Sequence, residues 1–356
     1  MHLLSITVIP ARHGPQVRIR GFSKRGRSGL RIAARCHRFT KAHRTGNRTY
    51  SSTTTTAHSG MSGRYASTDT DVLAAYATVR QTLHATYGVQ ADSRKLIIEV
   101  IMTQALNGKL ALVTGASRGI GAAIAARLAR DGASVIVHYA SSAERADAVV
   151  KAIREAGGEA EAVAANLSTQ DGVAVLIDSL NGVFGGRFAG RLDILVNNAG
   201  TVEYGPFLES SATSYDTHFN LNVRAPIELA KDAAKRMIAT GWGRIINVGS
   251  AFGEAAPLPG VTLYIASKFA VRGFTRGLSR ELGKFGVTVN AVQPGPIDTE
   301  LAPQPGTEAH ATMTRLASVG RFGKPEEIAA AVAYLASPEA GYTTGESLTV
   351  DGGWIA

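Results

Sequence analysis

The sequence predicts a doubly wound α/β domain, a parallel sheet with helices on both faces, and three observations carry that prediction. Short apolar runs alternate with helical stretches from residue 102 to the end, the rhythm of strand–helix–strand units. The first run passes through a glycine-rich turn directly into a helix. The residues of most distinctive chemistry then fall at the ends of later runs, where sheets of this kind keep their ligand crevice.

Ahead of that unit stands a leader of different composition. The chain has 356 residues and a formal net charge of +10. Residues 1–101 hold 16 Lys and Arg against 4 Asp and Glu, a net of +12, whereas residues 102–356 hold 22 against 24, a net of −2. All the basic excess therefore belongs to the leader, and the remainder is a near-neutral unit of single-domain size. No acidic residue occurs from Met1 to Arg64, arginine recurs from Arg12 to Arg35, and Thr53–Thr56 is a homopolymeric run. A segment with so little to bury is expected to be largely disordered.

Three readings of the leader stand side by side. It is an over-long start outside the working protein, an organellar transit peptide, which would be Arg- and Ser-rich and poor in acids, or a basic arm that displaces counterions from nucleic acid. Met102 opens a short polar lead into the first strand, which favours the first reading and makes a nucleic-acid partner the least favoured. Asp71–Ile101 is less polar and has room for a helix or two. A secretory signal is disfavoured, because Met1–Pro10 has too short an apolar stretch and no positive charge before it.

The only cysteine, Cys36, lies in the leader, so residues 102–356 can hold neither a disulfide nor a thiolate metal site. That fits a reducing compartment, the cytoplasm, or an organellar matrix if the leader is a transit peptide. No apolar run approaches the roughly 18–20 residues of a spanning helix, and no His, Asp and Glu cluster has metal-ligand spacing. Neither a membrane-embedded protein nor a catalytic metal is expected.

Within residues 102–356, Leu110–Thr114 is a short apolar run, Gly115–Gly121 (Gly-Ala-Ser-Arg-Gly-Ile-Gly) a tight turn, and a helical stretch follows through Arg130. Glycines belong in such a turn because a Cβ would block the backbone's approach to a pyrophosphate, which the helix N-terminus then receives. The next run, Val135–Val137, leads into His138-Tyr139-Ala140-Ser141-Ser142, where a dinucleotide fold often carries an acid for the ribose hydroxyls of NAD. No acid occurs there before Glu144. Arg118 and the hydroxyls of Ser141 or Ser142 can instead donate to a 2′-phosphate, so NADP(H) is expected rather than NAD(H).

Glu161–Ala165, Ile194–Val196, Arg244–Val248, Thr288–Val292 and Leu348–Val350 are the further strand candidates. At or just beyond their ends lie Asn166-Leu167, Asn197-Asn198-Ala199-Gly200, Ser250 and Pro294-Gly295. Tyr264 and Lys268, four apart in a stretch that stays helical to about Lys284, share one helix face. A phenol titrating near pH 10 is a poor proton donor or acceptor at neutrality, and a nearby ammonium is expected to lower that pKa. Trp242 reads as cover for a helix-to-strand turn, His218 as a surface or packing residue, and Gly182–Gly190 as a loose loop.

Thr114–Gly121, Asn197–Gly200, Ser250, Tyr264-x-x-x-Lys268 and Pro294-Gly295 together resemble the short-chain dehydrogenase/reductase family. The resemblance covers essentially Leu106–Trp354, including Gly323–Ala329 and Val350–Gly353, and is closest to the 3-oxoacyl-[acyl-carrier-protein] reductase-like members. It implies a Rossmann fold, an oxidoreductase acting on CH–OH donors, and a homotetramer. Tyr264 would then be the acid that protonates the carbonyl oxygen, Lys268 would tune it and hold the nicotinamide ribose, and Ser250 would bond the oxygen where charge develops. Asn222, preferred over Asn220 because Val-Arg-Ala-Pro follows it, matches the family asparagine that holds a water in a proton relay.

For the cofactor the resemblance nominates Gly115, Ser117, Arg118, Gly119, Ile120, Gly121, Asn166, Leu167, Asn198, Ala199, Gly200, Tyr264, Lys268, Pro294, Gly295, Ile297 and Thr299, to which the phosphate argument adds Ser141. Asn166 stands where many members have aspartate, and the Ser250-to-Tyr264 interval is slightly longer than the commonest spacing. Glu300–Val319 would form the substrate lid. A 3-oxoacyl thioester is the leading substrate class. The alternatives are a reductase of small ketones, sugars or polyketide intermediates, a non-catalytic binding module on the same fold, and a nucleic-acid-binding protein that uses the leader.

Overall fold

The computed structural model describes four extended segments of the leader and residues 105–356. The chain divides into two compact units, Met1–Thr103 and Gln104–Ala356. In the first, β1 (His2–Ala11), β2 (Gly14–Ser23), β3 (Arg31–Lys41) and β4 (Tyr50–Gly60) form a sheet of order β2-β1-β3-β4. β1 runs antiparallel to β2 and parallel to β3, and β3 runs antiparallel to β4. Two of these segments carry the β-branched stretches Ile6–Ile9 and Thr53–Thr56, residue types that favour extended backbone. The helix or two anticipated in Asp71–Ile101 lies outside the described residues.

In the second unit seven parallel strands, β5 (Leu110–Val113), β6 (Ser134–Tyr139), β7 (Glu159–Ala164), β8 (Ile194–Asn197), β9 (Gly243–Val248), β10 (Val287–Pro294) and β11 (Ser347–Val350), form one sheet. Their order is β11-β10-β9-β8-β5-β6-β7. Each strand candidate reappears with its ends moved by a few residues; β7 starts at Glu159 because that residue pairs in register with Ser134 at the start of β6. The chain leaves β5 toward β7 and returns to lay β8 on the other side of β5. The sheet therefore switches direction between β5 and β8, and a crevice opens at their carboxyl ends.

The helices are α1 (Gly119–Arg130), α2 (Ala143–Glu155), α3 (Gln170–Ser179), α4 (Ala212–Phe219), α5 (Ala225–Thr240), α6 (Thr262–Leu282), α7 (Glu308–Leu316) and α8 (Pro325–Ala336). Strand residues alternate between two cores, as the period of two requires. Ala111, Val113, Val135, Val137, Ile194 and Val196 pack with Ile124, Leu128, Val150 and Ile328 under α1, α2 and α8. Leu110, Leu112, Ile136, Leu195 and Ile245 face the other way, onto Leu176, Leu229, Met237 and Leu282 of α3, α5 and α6. Truncating a fully buried residue such as Ile136 to alanine would cost about 2–5 kcal/mol.

Local chemistry sets the helix ends. Thr169, Ser211 and Thr307 cap α3, α4 and α7 by accepting the N–H groups of Gly172, Ser214 and His310. Gly241, at φ +68°, turns the chain out of α5. Trp242 follows it and lies beneath Lys109 Nζ and the Arg244 guanidinium, 3.6 and 4.4 Å from its ring centre, so it does cover that turn. Gly182–Gly190 is not loose. Val183 and Phe188 are buried, the rings of Phe184 and Phe188 meet edge to face at 5.8 Å, and the Phe184 N–H donates to Glu161. Among the described residues no helix is long and apolar enough to cross a membrane.

Candidate active site

The crevice is built from the glycine turn outward. Thr114 Oγ1 accepts the N–H groups of Asn198 (2.9 Å) and Ala199 (3.0 Å), while Asn198 Nδ2 donates to the carbonyls of Thr114 (2.8 Å) and Gly115 (3.1 Å). The turn after β5 and the residues after β8 thereby form one rim. Gly115 has φ +62°, and a Cβ there would lie 2.9 Å from Ala199 Cα; at Gly121 a Cβ would lie 2.3 Å from the Gly115 carbonyl oxygen. Only glycine closes this rim. No side chain caps the N-terminus of α1 and no acid stands in its first turn, so its free N–H groups and positive end are available to an anion.

His138, at the end of β6, locks the turn from behind. Its Nδ1 accepts the Gly115 N–H (3.0 Å), which assigns the other proton to Nε2, 3.1 Å from the Ala165 carbonyl. Burial pushes the imidazole down to about 4, so it is neutral when it does this.

The crevice is a groove of about 410 Å³. Every residue nominated above for the cofactor lines it, as do Ser250, Tyr264 and Lys268. Asn222 does not. It is buried in a π-helical turn between α4 and α5, where Oδ1 accepts the Thr201 N–H (2.9 Å) and Nδ2 donates to the Thr201 carbonyl and Ser267 Oγ (both 3.0 Å). From there it backs Gly200, where a Cβ would lie 3.1 Å from Asn222 Oδ1 and 3.6 Å from Lys268 Nζ.

Across the groove, Ser250 follows β9 and Tyr264 stands in the first turn of α6, between Phe252 (ring centres 6.0 Å apart) and His218 (6.5 Å). His218 is a buried packing residue, its Nδ1 2.8 Å from the Ser214 carbonyl and its Nε2 accepting the Glu203 N–H. Lys268, one turn beyond Tyr264, donates to the Val248 carbonyl (3.1 Å), with Nζ 5.4 Å from the tyrosine ring centre. Burial pushes Tyr264 up to about 12, against a hydrogen bond with the Ser250 hydroxyl that works the other way. The raised value runs against the lowering expected from the sequence, and removal from water is its largest cause. Burial also brings Lys268 down to about 8. At neutral pH the phenol keeps its proton and the lysine is mostly charged.

Gln293, on β10, holds Ser250 in place. It is fully buried, its Oε1 accepts the Ser250 N–H at 2.6 Å, and Nε2 reaches Glu254, which pairs with Arg272 of α6 at 2.6 Å. From the segment expected to form a lid, Leu301, Ala302, Pro303 and Met313 line the groove, and Ser318 and Val319 are tied to the carbonyls of Gly353 and Gly352 (both 3.1 Å). At the opposite end of the groove Arg118 and Arg145 both bond Glu300. Sequence reading missed His138, Gln293, Arg145 and Glu300. Each acts on a residue 23 or more positions away, and no local pattern marks them.

A bare glycine turn at the switch point of a doubly wound sheet, facing a Ser–Tyr–Lys group across one groove, defines a dinucleotide-linked oxidoreductase domain. The chain belongs to the short-chain dehydrogenase/reductase family: residues 115–355 match the family model described as enoyl-(acyl carrier protein) reductase. It is 42% identical over 252 residues to a 3-oxoacyl-[acyl-carrier-protein] reductase of Synechocystis, covering 70% of this chain and 98% of that one. It is 41% identical over 252 residues to the cyclic-di-GMP-binding biofilm dispersal mediator protein of Escherichia coli, covering 71% and 99%. A short-chain dehydrogenase from Burkholderia cenocepacia, solved in complex with NADP, superposes with a TM-score of 0.66 at 42% identity, covering 71% of this chain and all of that one.

Proposed function

We propose that this chain is an NADP(H)-dependent carbonyl reductase whose leading substrate class is the 3-oxoacyl thioester. The observation that carries the reading is the convergence of buried Ser250 and Lys268 with partly buried Tyr264 on the wall of a groove whose other end is a bare glycine turn. The residues fit the cofactor: the uncapped N-terminus of α1 suits a diphosphate, and Arg118 and Ser141 suit a 2′-phosphate. The solved Burkholderia cenocepacia relative holds NADP, and the Synechocystis relative is named for 3-oxoacyl reduction.

When bound, NADPH supplies the hydride that reduces the carbonyl carbon. The Tyr264 hydroxyl gives its proton to the carbonyl oxygen, so the product is a neutral secondary alcohol. The Ser250 hydroxyl bonds the same oxygen as negative charge builds on it. The Lys268 ammonium stabilises the phenolate left behind, and Asn222 supports the wall beside it through Thr201 and Gly200. Residues 300–319 act as the lid. We take the unit to be a cytoplasmic homotetramer, for which the exposed Tyr334 and Tyr342 and the exposed Ile227 and Ile238 of α5 offer apolar contact surface.

The test is turnover of NADPH and of NADH with a carbonyl panel that includes acetoacetyl thioesters. Tyr264→Phe should abolish turnover and leave NADPH binding intact. A wild type inert toward the whole panel would remove the reading, as would an active Phe variant. A second reading, binding of cyclic di-GMP without turnover, draws on the Escherichia coli relative and is favoured by the Arg118–Arg145 pair, which can grip phosphate. Tight cyclic di-GMP binding by a protein inert toward carbonyls would select it.

A further inference from the structure

Two guanidiniums from separate elements converge on one carboxylate at the adenosine end of the groove. Arg118 stands on the glycine turn and Arg145 in the first turn of α2, whereas Glu300 arrives from the start of the lid segment, 155 residues beyond Arg145. Arg118 Nη1 lies 2.9 Å from Glu300 Oε2, and Arg145 Nη1 lies 2.7 and 2.8 Å from Oε1 and Oε2. Backbone contacts deliver the acid. The Asp298 N–H donates to the Gly323 carbonyl at 2.9 Å, and the Thr299 methyl packs over Gly119, 3.4 Å from where a Cβ would stand. Ser141 and Ser142, which follow β6, line the same groove as Arg118 and Glu300, whereas Arg145 stands outside its lining and reaches it through Glu300.

A carboxylate held by two arginines, on a groove that two hydroxyls also line, has the donors that a ribose phosphate requires, near the strand end where this class of fold places the adenosine ribose. We propose that Arg145 is a determinant of cofactor choice, acting with Arg118 as a clamp for the 2′-phosphate, and that Glu300 is the clamp's internal competitor. The inference rests on the NADP reading of the groove. Phosphate and carboxylate exclude one another, since both are anions that need the same donors. A phosphate carries the larger charge and more acceptor oxygens, so it displaces Glu300 and frees the first residues of the lid segment from the glycine turn. NADH brings no such competitor and leaves the contact in place.

The test measures dissociation constants of NADPH and NADH for the full chain and for Arg145→Gln and Glu300→Gln, with thermal melts to confirm that each variant is folded. Arg145→Gln should weaken NADPH about tenfold, the loss of one charge-assisted contact, and leave NADH unchanged. Glu300→Gln should tighten NADPH several-fold, again without effect on NADH. Competition by 2′,5′-ADP and 5′-AMP should repeat this pattern, which places the effect on the phosphate. A wild type that prefers NADH would overturn the cofactor reading itself. A wild type that prefers NADPH, with the preference intact in Arg145→Gln, would overturn the clamp alone. Glu300→Gln that leaves NADPH affinity unchanged, or that weakens either dinucleotide, would overturn the competitor and make Glu300 a bystander or a ribose ligand.

Discussion

Gln293→Met removes the acceptor of the Ser250 N–H and, with it, the longer 3.4 Å donor contact to Glu254. The methionine side chain is unbranched and of similar length, so the packing change costs under about 1.5 kcal/mol. The larger loss is polar. Gln293 is fully buried and its Oε1 receives the Ser250 N–H at 2.6 Å, so the variant leaves that N–H buried and unpaired. An orphaned donor costs about 1–3 kcal/mol, which in a unit of this size lowers Tm by roughly 2–12 °C. Catalysis should suffer separately, because the same bond sets the backbone from which the Ser250 hydroxyl reaches toward Tyr264. A small misplacement of a positioned group costs up to about a hundredfold in rate. Gln293 does not line the groove, so the dissociation constant for NADPH should stay at its wild-type value. Thermal or denaturant unfolding, cofactor titration and single-turnover reduction read the three quantities independently. Wild-type kcat would refute the reasoning, and so would a kcat loss matched by an equal loss of cofactor affinity. Gly249→Ala gives a cross-check, since its Cβ would lie 1.9 Å from Gln293 Oε1; combining it with Gln293→Ala should relieve the clash but not restore kcat.

Two further outcomes follow from the buried titrating groups. With Lys268 brought down to about 8, its charge is lost as pH rises through that value, so kcat/KM for carbonyl reduction should fall above about pH 8; a profile flat to pH 10 would show that the charge is not needed. His138 has a folded pKa of about 4 against an ordinary 6.5, so the unfolded chain takes up the proton first and stability is lost as pH falls from 6.5 toward 4. The loss amounts to about 3 kcal/mol at full development, and His138→Asn should flatten this acid limb in pH-dependent unfolding, which an unchanged limb would contradict.

What the sequence made legible was whatever a short window could contain. β5 is four fully buried residues, so it reads as a continuous apolar run although its side chains serve two different cores. The glycine turn reads as such because the requirement is a backbone conformation at Gly115 and bare space at Gly121, both consequences of residue type. Tyr264 and Lys268 share a face by helical spacing alone. The pKa of that tyrosine did not follow from the same spacing, because it depends on how thoroughly Phe252, His218 and their neighbours exclude water, and those come from other parts of the chain.

The cofactor end of the groove shows most sharply where window reading fails. From the residues after β6 the sequence offers hydroxyls and no nearby acid, and the inference runs directly to a 2′-phosphate. The fold then brings Glu300 into that same space from the lid segment and supplies Arg145, on the helix that follows, to receive it. An acid in that position need not have the meaning it would have at the end of β6. There it would be fixed by the strand and would repel phosphate permanently, whereas the proposed clamp has Glu300 give way to the phosphate. On the proposed clamp, the charge near the ribose depends on Glu300 and Arg145 together, two residues 155 positions apart, rather than on the strand end that the sequence pattern marks.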